Sequence, residues 1–302
     1  MQQVPKRFIH RYVQKLRVII NQKKILNLST SNKFILLRPT PPQLCGGTIE
    51  HYYHFIFDLV MPLNALIRRL PSNTTFLLEN FGVLTNRLED LFPGRTHILN
   101  NSSVINNVKE ISLLGMNPRC VHLQSRELEF FCFDVKHNLG IVHNPPRDQI
   151  LLIERADSDP FYINSAIKKG SGAKRRSILN HADVHFVIQK SIKDTYQFAN
   201  LQLEKISFRQ QIDHFNKSII VFAQHGAGLA NCIWMKPGSI VIEFSNNASL
   251  DHFRTISRLK KHKYYLYKIQ KEHTNIDTTD FLNWVLGHKE LRSIFSAKDN
   301  FT

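Results

Sequence analysis

Residues 218–244 constrain the fold more than any other part of this sequence. They contain two short apolar runs rich in β-branched residues, 218–223 and 239–244. Such runs are typical of strands that are covered on both faces of a parallel sheet. Between them lie a glycine turn, a short apolar helix and a Lys-Pro-Gly break. This order predicts a doubly wound α/β domain.

The glycine turn at 224–229 is the best candidate ligand site in the chain. In open α/β sheets such a turn follows the carboxyl end of a strand, where backbone N–H groups and the helix dipole attract an anion, commonly a phosphate. Glu243, near the end of the next strand, is placed to bind a ribose. The same turn also occurs as a plain strand-to-helix connection. An esterase oxyanion hole is excluded because the chain has no G-x-S-x-G nucleophile elbow.

Further short strands and helices are predicted on both sides of a linker at 140–147, which holds Pro145 and Pro146. We therefore expect two domains, 1–145 and 146–302. Predicted strands lie at 34–37, 75–78, 96–99, 108–114, 149–153 and 184–188, with a further strand or buried turn at 130–133. Predicted helices lie at 85–92 and at 207–215, the latter with Ser207 as its N-cap.

A histidine-rich stretch at 48–67 is the second candidate site. Thr48 is a plausible helix N-cap, and helical spacing places His51, His54 and Asp58 on neighbouring turns of one face. A carboxylate four residues after a histidine can hold it in one tautomer, as a general base requires. A structural hydrogen-bond network is the competing interpretation. Two histidines without further clustered ligands make a poor metal site.

The charge and acidic motifs leave several partners open. The formal net charge is +16, spread along the chain, which favours polyanions or phosphorylated ligands, or simply a soluble basic surface. Asp157 and Asp159 form a D-x-D pair that could hold a divalent cation on a nucleotide diphosphate. The four cysteines are scattered and suggest neither a zinc site nor a disulfide framework.

Several motifs together resemble the family 61 glycosyltransferases. They are HYYHFIFDLVMPL at 51–63, LLIER at 151–155, KRRSILN at 174–180, LEKISFRQQI at 203–212, and HGAGLAN followed by KPGSIVIEF. The resemblance implies a GT-B architecture, with two Rossmann-like domains facing a cleft. It also implies inverting transfer from a nucleotide sugar, usually UDP-linked, without an obligatory metal or other cofactor. Xylose, N-acetylglucosamine and arabinose are the sugars that it suggests, with a glycan or glycoprotein as acceptor.

The resemblance also assigns the donor-site residues. The sugar nucleotide would contact His225, Gly226, Ala227, Gly228 and Leu229, with Glu243 at the ribose. Arg155 and Arg176 match the basic residues that are expected to face the diphosphate. Family members usually keep these arginines in one short cluster, whereas residues 156–175 separate them here.

Inversion requires a base for the acceptor hydroxyl and positive groups for the leaving diphosphate. We expect His54 to be the base and Asp58 to orient it, with Asp58 itself as the rival base. Three alternatives remain: a metal-dependent transferase using Asp157 and Asp159, a basic nucleic-acid-binding protein, and a catalytically inactive sugar-nucleotide-binding protein. The N-terminal residues contain no apolar run long enough for a membrane anchor. We therefore expect a cytoplasmic enzyme, of viral or bacterial type, or a secretory-pathway enzyme if an anchor is missing from this chain.

Overall fold

The computed structural model describes residues 34–39, 48–99, 108–113, 115–116, 123–157, 172–247 and 251–296. The chain separates into two compact units, Met1–Ile141 and Val142–Thr302. Within the described ranges, no helix is both long and apolar enough to span a bilayer.

Unit 1 is built on a four-stranded parallel sheet in the order β3-β2-β1-β4. Its strands are β1 (Phe34–Arg38), β2 (Thr75–Glu79), β3 (Thr96–Leu99) and β4 (Lys109–Ser112). Its helices are α1 (residues 52–67), α2 (Arg87–Leu91) and α3 (Ser125–Asn138). The predicted strands and the predicted helix near 85–92 are confirmed.

Helix α1 is continuous but changes its hydrogen-bond pattern. An α-helical turn at Tyr52–His54 passes into a π-helix at Phe55–Val60 and then into Met61–Ile67. The N–H of Met61 bonds the carbonyl of Ile56, five residues earlier. This wider turn accommodates Pro62, which has no N–H to donate. The predicted N-cap at Thr48 is wrong, because the helix begins at Tyr52 with His51 as its N-cap.

Helix α3 replaces the strand or turn that was predicted at 130–133. Its buried residues include Leu128, Phe131, Cys132 and Val135, which recur at the spacing of one helix face. Gln124 and Glu127 form a capping box at its start. The aromatic run was misleading because Phe130 and Phe133 face outward and are not core residues.

Unit 2 contains a five-stranded parallel sheet in the order β10-β9-β8-β5-β7. The strands are β5 (Gln149–Glu154), β7 (Gln197–Gln202), β8 (Ser218–Gln224), β9 (Ile240–Ser245) and β10 (Lys263–Lys268). A small parallel pair joins β6 (Ser177–Ile178) to β11 (His273–Thr274). The helices are α4 (Gly172–Arg175), α5 (His181–Ser191), α6 (Phe208–Lys217), α7 (His252–Leu259), α8 (Thr278–Gly287) and α9 (Lys289–Arg292). Two 3₁₀ helices lie at Leu203–Lys205 and Ala227–Trp234.

The predicted strand at 184–188 is wrong, because these residues lie in α5. Val184, Val187, Ile188 and Ser191 are its buried residues, at positions i, i+3, i+4 and i+7. The run was taken for a strand because it is short and rich in β-branched residues. Packing of its apolar face against the sheet core outweighs that local preference.

Helix α6 confirms the predicted helix at 207–215 and its cap. The Ser207 side chain accepts a hydrogen bond from the Gln210 N–H, and the Gln210 side chain bonds the Ser207 N–H. Phe208, Ile212 and Phe215 are buried, as their spacing predicts. The apolar segment after the glycine turn is helical as expected, but it is a 3₁₀ helix.

Buried His262 predicts a loss of stability in acid. Its Nε2 bonds the Cys232 carbonyl at 3.0 Å, and its Nδ1 is buried without a hydrogen-bond partner among the described residues. Burial lowers its pKa from 6.5 to about 4. Between about pH 6.5 and pH 4, His262 is therefore protonated in the unfolded chain but neutral in the folded chain. We expect His262 to lower the free energy of unfolding by about 2 kcal/mol from pH 7 to pH 5.

Urea unfolding at pH 7 and pH 5 would measure this effect, with His262→Asn as the matched variant. The variant should show a smaller difference between the two pH values. An equal difference in both proteins would assign the acid sensitivity to other groups.

Candidate functional site

The candidate donor site lies at the point where the strand order of the unit 2 sheet reverses. From β5 the chain places β7 on one side and then places β8, β9 and β10 on the other. The carboxyl ends of β5 and β8 therefore flank a topological switch point, where open α/β sheets bind their ligands. Arg155 directly follows β5, and His225 and Gly226 directly follow β8.

Three consecutive backbone N–H groups at this point are available to a ligand. Those of Gly226, Ala227 and Gly228 make no hydrogen bond within the described residues, whereas the flanking His225 and Leu229 N–H groups bond the carbonyls of Phe244 and Gly226. The three residues are partly exposed. Successive free N–H groups at the start of a helix form a concave site for an anion.

Arg155 lies directly against the glycine turn. Its Nη1 donates to the His225 carbonyl and its Nε to the Gly172 carbonyl, each at 3.2 Å. A Cβ built on Gly226 would be 2.2 Å from Arg155 Nη1. Glycine is therefore needed at 226 for space, since its φ of 169° is ordinary extended backbone.

Arg155 and Arg176 are close in space although residues 156–175 separate them in sequence. The two ends of the intervening segment meet, because the Ala173 N–H bonds the Ala156 carbonyl at 2.8 Å. Arg155 bonds the carbonyl of Gly172 in the same place. Arg176 is held by Glu272, with Nε and Nη2 at 2.8 and 2.7 Å from Oε1.

These arginines form a positively charged, partly desolvated cluster. Burial lowers the pKa of Arg155 to about 10, and the charge of Arg176 adds to this effect. Burial and the charge of Arg176 likewise lower the pKa of Arg175. Like charges held near one another out of water are stabilised when an anion binds among them. The cluster is therefore suited to a phosphate.

The Glu243 carboxylate is directed at His225 and is only 1% exposed. One carboxylate oxygen, Oε1, contacts Nδ1 of His225, and the other, Oε2, accepts a hydrogen bond from Tyr264. This geometry gives no support to the predicted ribose contact, since both oxygens already have partners inside the protein. Among the described residues, Glu243 instead orients His225.

The glycine turn continues into a largely buried 3₁₀ helix, Ala227–Trp234. Leu229, the last predicted donor residue, has a side chain that is 1% exposed, so only its backbone could reach a ligand. Trp234 Nε1 bonds Asn231 Oδ1 at 2.9 Å, and Asn231 Nδ2 bonds the Gly228 carbonyl at 3.2 Å. These buried bonds hold the turn in its shape.

Unit 1 carries the second candidate site, at His54 and Asp58. His54 Nδ1 lies 2.6 Å from Asp58 Oδ2, and the Asp58 side chain is fully buried. Because a carboxylate only accepts, Nδ1 carries the proton and Nε2 keeps its lone pair. Gly115, just after β4, packs against the pair: a Cβ there would be 2.0 Å from Asp58 Oδ1. The pair can therefore accept a proton at Nε2.

A comparison with protein families identifies the family of this chain. The family model described as Glycosyltransferase 61 matches residues 52–242, more than half of the sequence. The chain belongs to glycosyltransferase family 61. The matched range includes His54, Asp58, both predicted arginines and the glycine turn, and ends one residue before Glu243. A search among curated proteins gives no match.

For this family 61 member, the D-x-D alternative stays a prediction. Asp157 is exposed and Asp159 lies outside the described residues. The described residues contain no group of three or more His, Cys, Asp or Glu side chains arranged to hold a metal ion.

Sequence reasoning missed three residues of these sites in the glycosyltransferase. Arg175 belongs to the KRR run next to Arg176, so the run itself was a usable signal. Gly115 and Tyr264 carry no local signal, because their roles depend on contacts with Asp58 and Glu243 that are distant in sequence.

If the glycine turn binds a nucleotide, Gly226→Ala should weaken that binding. The added methyl group would displace Arg155 Nη1 from the turn. We expect the Kd for UDP, measured by calorimetry, to rise at least about 30-fold, equivalent to the loss of one charged hydrogen bond of about 2 kcal/mol. Gly287→Ala is the matched control, since a Cβ there meets nothing within 4 Å. Unchanged UDP affinity in Gly226→Ala would show that Arg155 does not contribute to UDP binding.

Proposed function

We propose that this glycosyltransferase transfers a sugar from a UDP-linked donor to a glycan or glycoprotein acceptor, with inversion at the anomeric carbon and without a metal. Xylose, N-acetylglucosamine and arabinose are the candidate sugars. The observation that carries the proposal is the set of unbonded N–H groups at Gly226, Ala227 and Gly228 beside the Arg155 guanidinium.

The donor diphosphate would bind at this set of N–H groups. Backbone N–H groups and a bidentate guanidinium are strong donors to phosphate oxygens, and they carry positive potential without a metal. Arg176 and Arg175 would add positive charge. Their attraction to the diphosphate would strengthen as the sugar leaves, because the diphosphate then becomes more negative. In this proposal the leaving-group charge is balanced by groups of the chain itself.

His54 would serve as the base. Its Nε2 would accept the proton of the acceptor hydroxyl as the acceptor oxygen bonds the anomeric carbon and the bond from that carbon to the diphosphate breaks. Asp58, bonded to Nδ1, would hold the required tautomer and stabilise the imidazolium that forms. The acceptor would be bound by unit 1, and the two units would adopt the GT-B arrangement.

The first experiment is a binding screen with purified protein. UDP, GDP, CMP and their common sugar conjugates would be titrated by calorimetry and thermal shift, each with Mn²⁺ and with chelator, beside a nonspecific DNA duplex. A ligand that binds only the folded state raises the Tm by mass action. We expect a response to UDP and one UDP-sugar that is equal with Mn²⁺ and with chelator.

Other results would replace the proposal with a named alternative. Binding that requires Mn²⁺ would favour the metal-dependent enzyme. DNA binding with a steep salt dependence and no nucleotide response would favour a nucleic-acid-binding protein. Donor binding without transfer to any glycan or glycoprotein would identify an inactive member of the family.

A further inference from the structure

A second histidine and carboxylate pair lies at the candidate donor site of unit 2. His225 Nδ1 contacts Glu243 Oε1, and Tyr264 donates its hydroxyl to Glu243 Oε2 at 2.6 Å. The three groups come from the end of β8, from β9 and from β10, which are adjacent strands. The chain of contacts therefore runs from the sheet edge to the glycine turn.

The protonation of this chain follows from its donors and acceptors. Burial, together with the Glu243 carboxylate, raises the pKa of Tyr264 well above its usual range, so its hydroxyl keeps its proton and donates. The Glu243 carboxylate is the acceptor in both contacts, one at each of its oxygens. The proton between His225 and Glu243 then belongs to His225 Nδ1, and Nε2 faces away from the carboxylate.

The His225 ring is also held from its sides. Its centroid lies 5.2 Å from that of Phe253 and 6.1 Å from that of His252. Its side chain is 11% exposed, and Nε2 has no hydrogen-bond partner among the described residues. The backbone of the same residue is fixed at both ends, by Arg155 at its carbonyl and by the Phe244 carbonyl at its N–H.

We propose that Glu243 and Tyr264 are positioning residues that hold His225 with Nδ1 protonated and Nε2 presented to the sugar nucleotide beside the glycine turn. The functional part rests on the proposed donor site. Two rigid partners would thus give the turn one side-chain group of fixed orientation, in addition to its backbone N–H groups. Such preorganisation matters because a hydrogen-bond acceptor that is already aimed need not be reoriented during the reaction.

The variants Glu243→Gln and Tyr264→Phe test this assignment. Tyr265→Phe is the matched control, because Tyr265 is the next residue of the same strand and its hydroxyl bonds Glu290 at 3.1 Å instead. Long-range ¹H–¹⁵N NMR of the imidazole, assigned with His225→Gln, would report the tautomer without any ligand. We expect the Nδ1–H tautomer in the wild type, a mixture in Glu243→Gln, and no change in Tyr265→Phe.

The second measurement is the UDP titration and donor kinetics of the same variants. We expect Glu243→Gln to lower kcat/KM for the donor by about 10- to 100-fold and Tyr264→Phe by about 3- to 10-fold, with Tyr265→Phe unchanged. An Nδ1–H tautomer that persists in Glu243→Gln, or wild-type kinetics in both variants, would overturn the positioning role. Absence of transfer from every nucleotide sugar would overturn the proposed function alone, since the tautomer is measured independently.

Discussion

His54→Gln is expected to lower the transfer rate by about 10³-fold while leaving UDP affinity within about 2-fold of the wild type. The reason is that glutamine keeps a polar side chain but cannot accept a proton, and general base catalysis contributes about 10²- to 10⁴-fold. Asp58→Asn should show a loss of similar size, because an amide no longer requires Nδ1 of His54 to carry the proton. Single-turnover transfer from the UDP-sugar and calorimetry with UDP would measure the two quantities.

His97→Gln is the control for this pair, since His97 is an exposed histidine on β3 of the same unit. It should behave as the wild type in both measurements. If His54→Gln retains more than about a tenth of the wild-type rate and Asp58→Asn abolishes transfer, Asp58 is the base and His54 is its partner. Wild-type rates in both variants would contradict the assignment of this site altogether.

Arg155→Ala is expected to raise the Kd for UDP by about 100-fold with little change in Tm. Arg155 Nη2 has no hydrogen-bond partner among the described residues, and the guanidinium lies beside the free N–H groups of the turn. Two charge-assisted hydrogen bonds to phosphate, at about 1.5 kcal/mol each, correspond to a factor of this size. The small change in Tm follows because removal of a buried charge next to Arg176 offsets the lost hydrogen bonds.

Arg155→Lys should lose most of the same affinity, because an ammonium group cannot reproduce the two-pronged geometry of the guanidinium. Arg258→Ala is the control, as Arg258 is exposed on α7. Comparison with Arg176→Ala would decide which arginine binds the diphosphate. A normal Kd in Arg155→Ala with a large loss in Arg176→Ala would move the diphosphate contact to Arg176.

The sequence predicted the architecture of unit 2 well where local pattern and tertiary environment agree. The runs at 149–153, 218–223 and 239–244 are apolar on both faces, and the parallel sheet buries both faces of β5, β8 and β9. Helix α5 was missed because the short β-branched run at 184–188 fits both a strand and a helix. Only the elements packed against it distinguish the two.

In the candidate sites, too, contacts within one element could be predicted and contacts between elements could not. The pairing of His54 with Asp58 could be read from the sequence, because four residues of helix bring two side chains together whatever the rest of the fold does. Glu243 was assigned to a ribose from its position at the end of a strand. In the structure it contacts His225, directly after β8, and Tyr264, on β10, and the order of these strands is not encoded locally.

By itself the sequence determined strands β1 to β5, β8 and β9, the glycine turn after β8, and the pairing of His54 with Asp58 in α1. These depend on periodicity, on turn chemistry and on spacing within one helix. Only the tertiary structure decided that Arg155 lies against Gly226 and that Arg176 joins it across residues 156–175. The physical reason is that these contacts connect elements whose separation along the chain carries no information about their separation in space. They form only when β5 and β8 pair and the ends of the intervening segment meet.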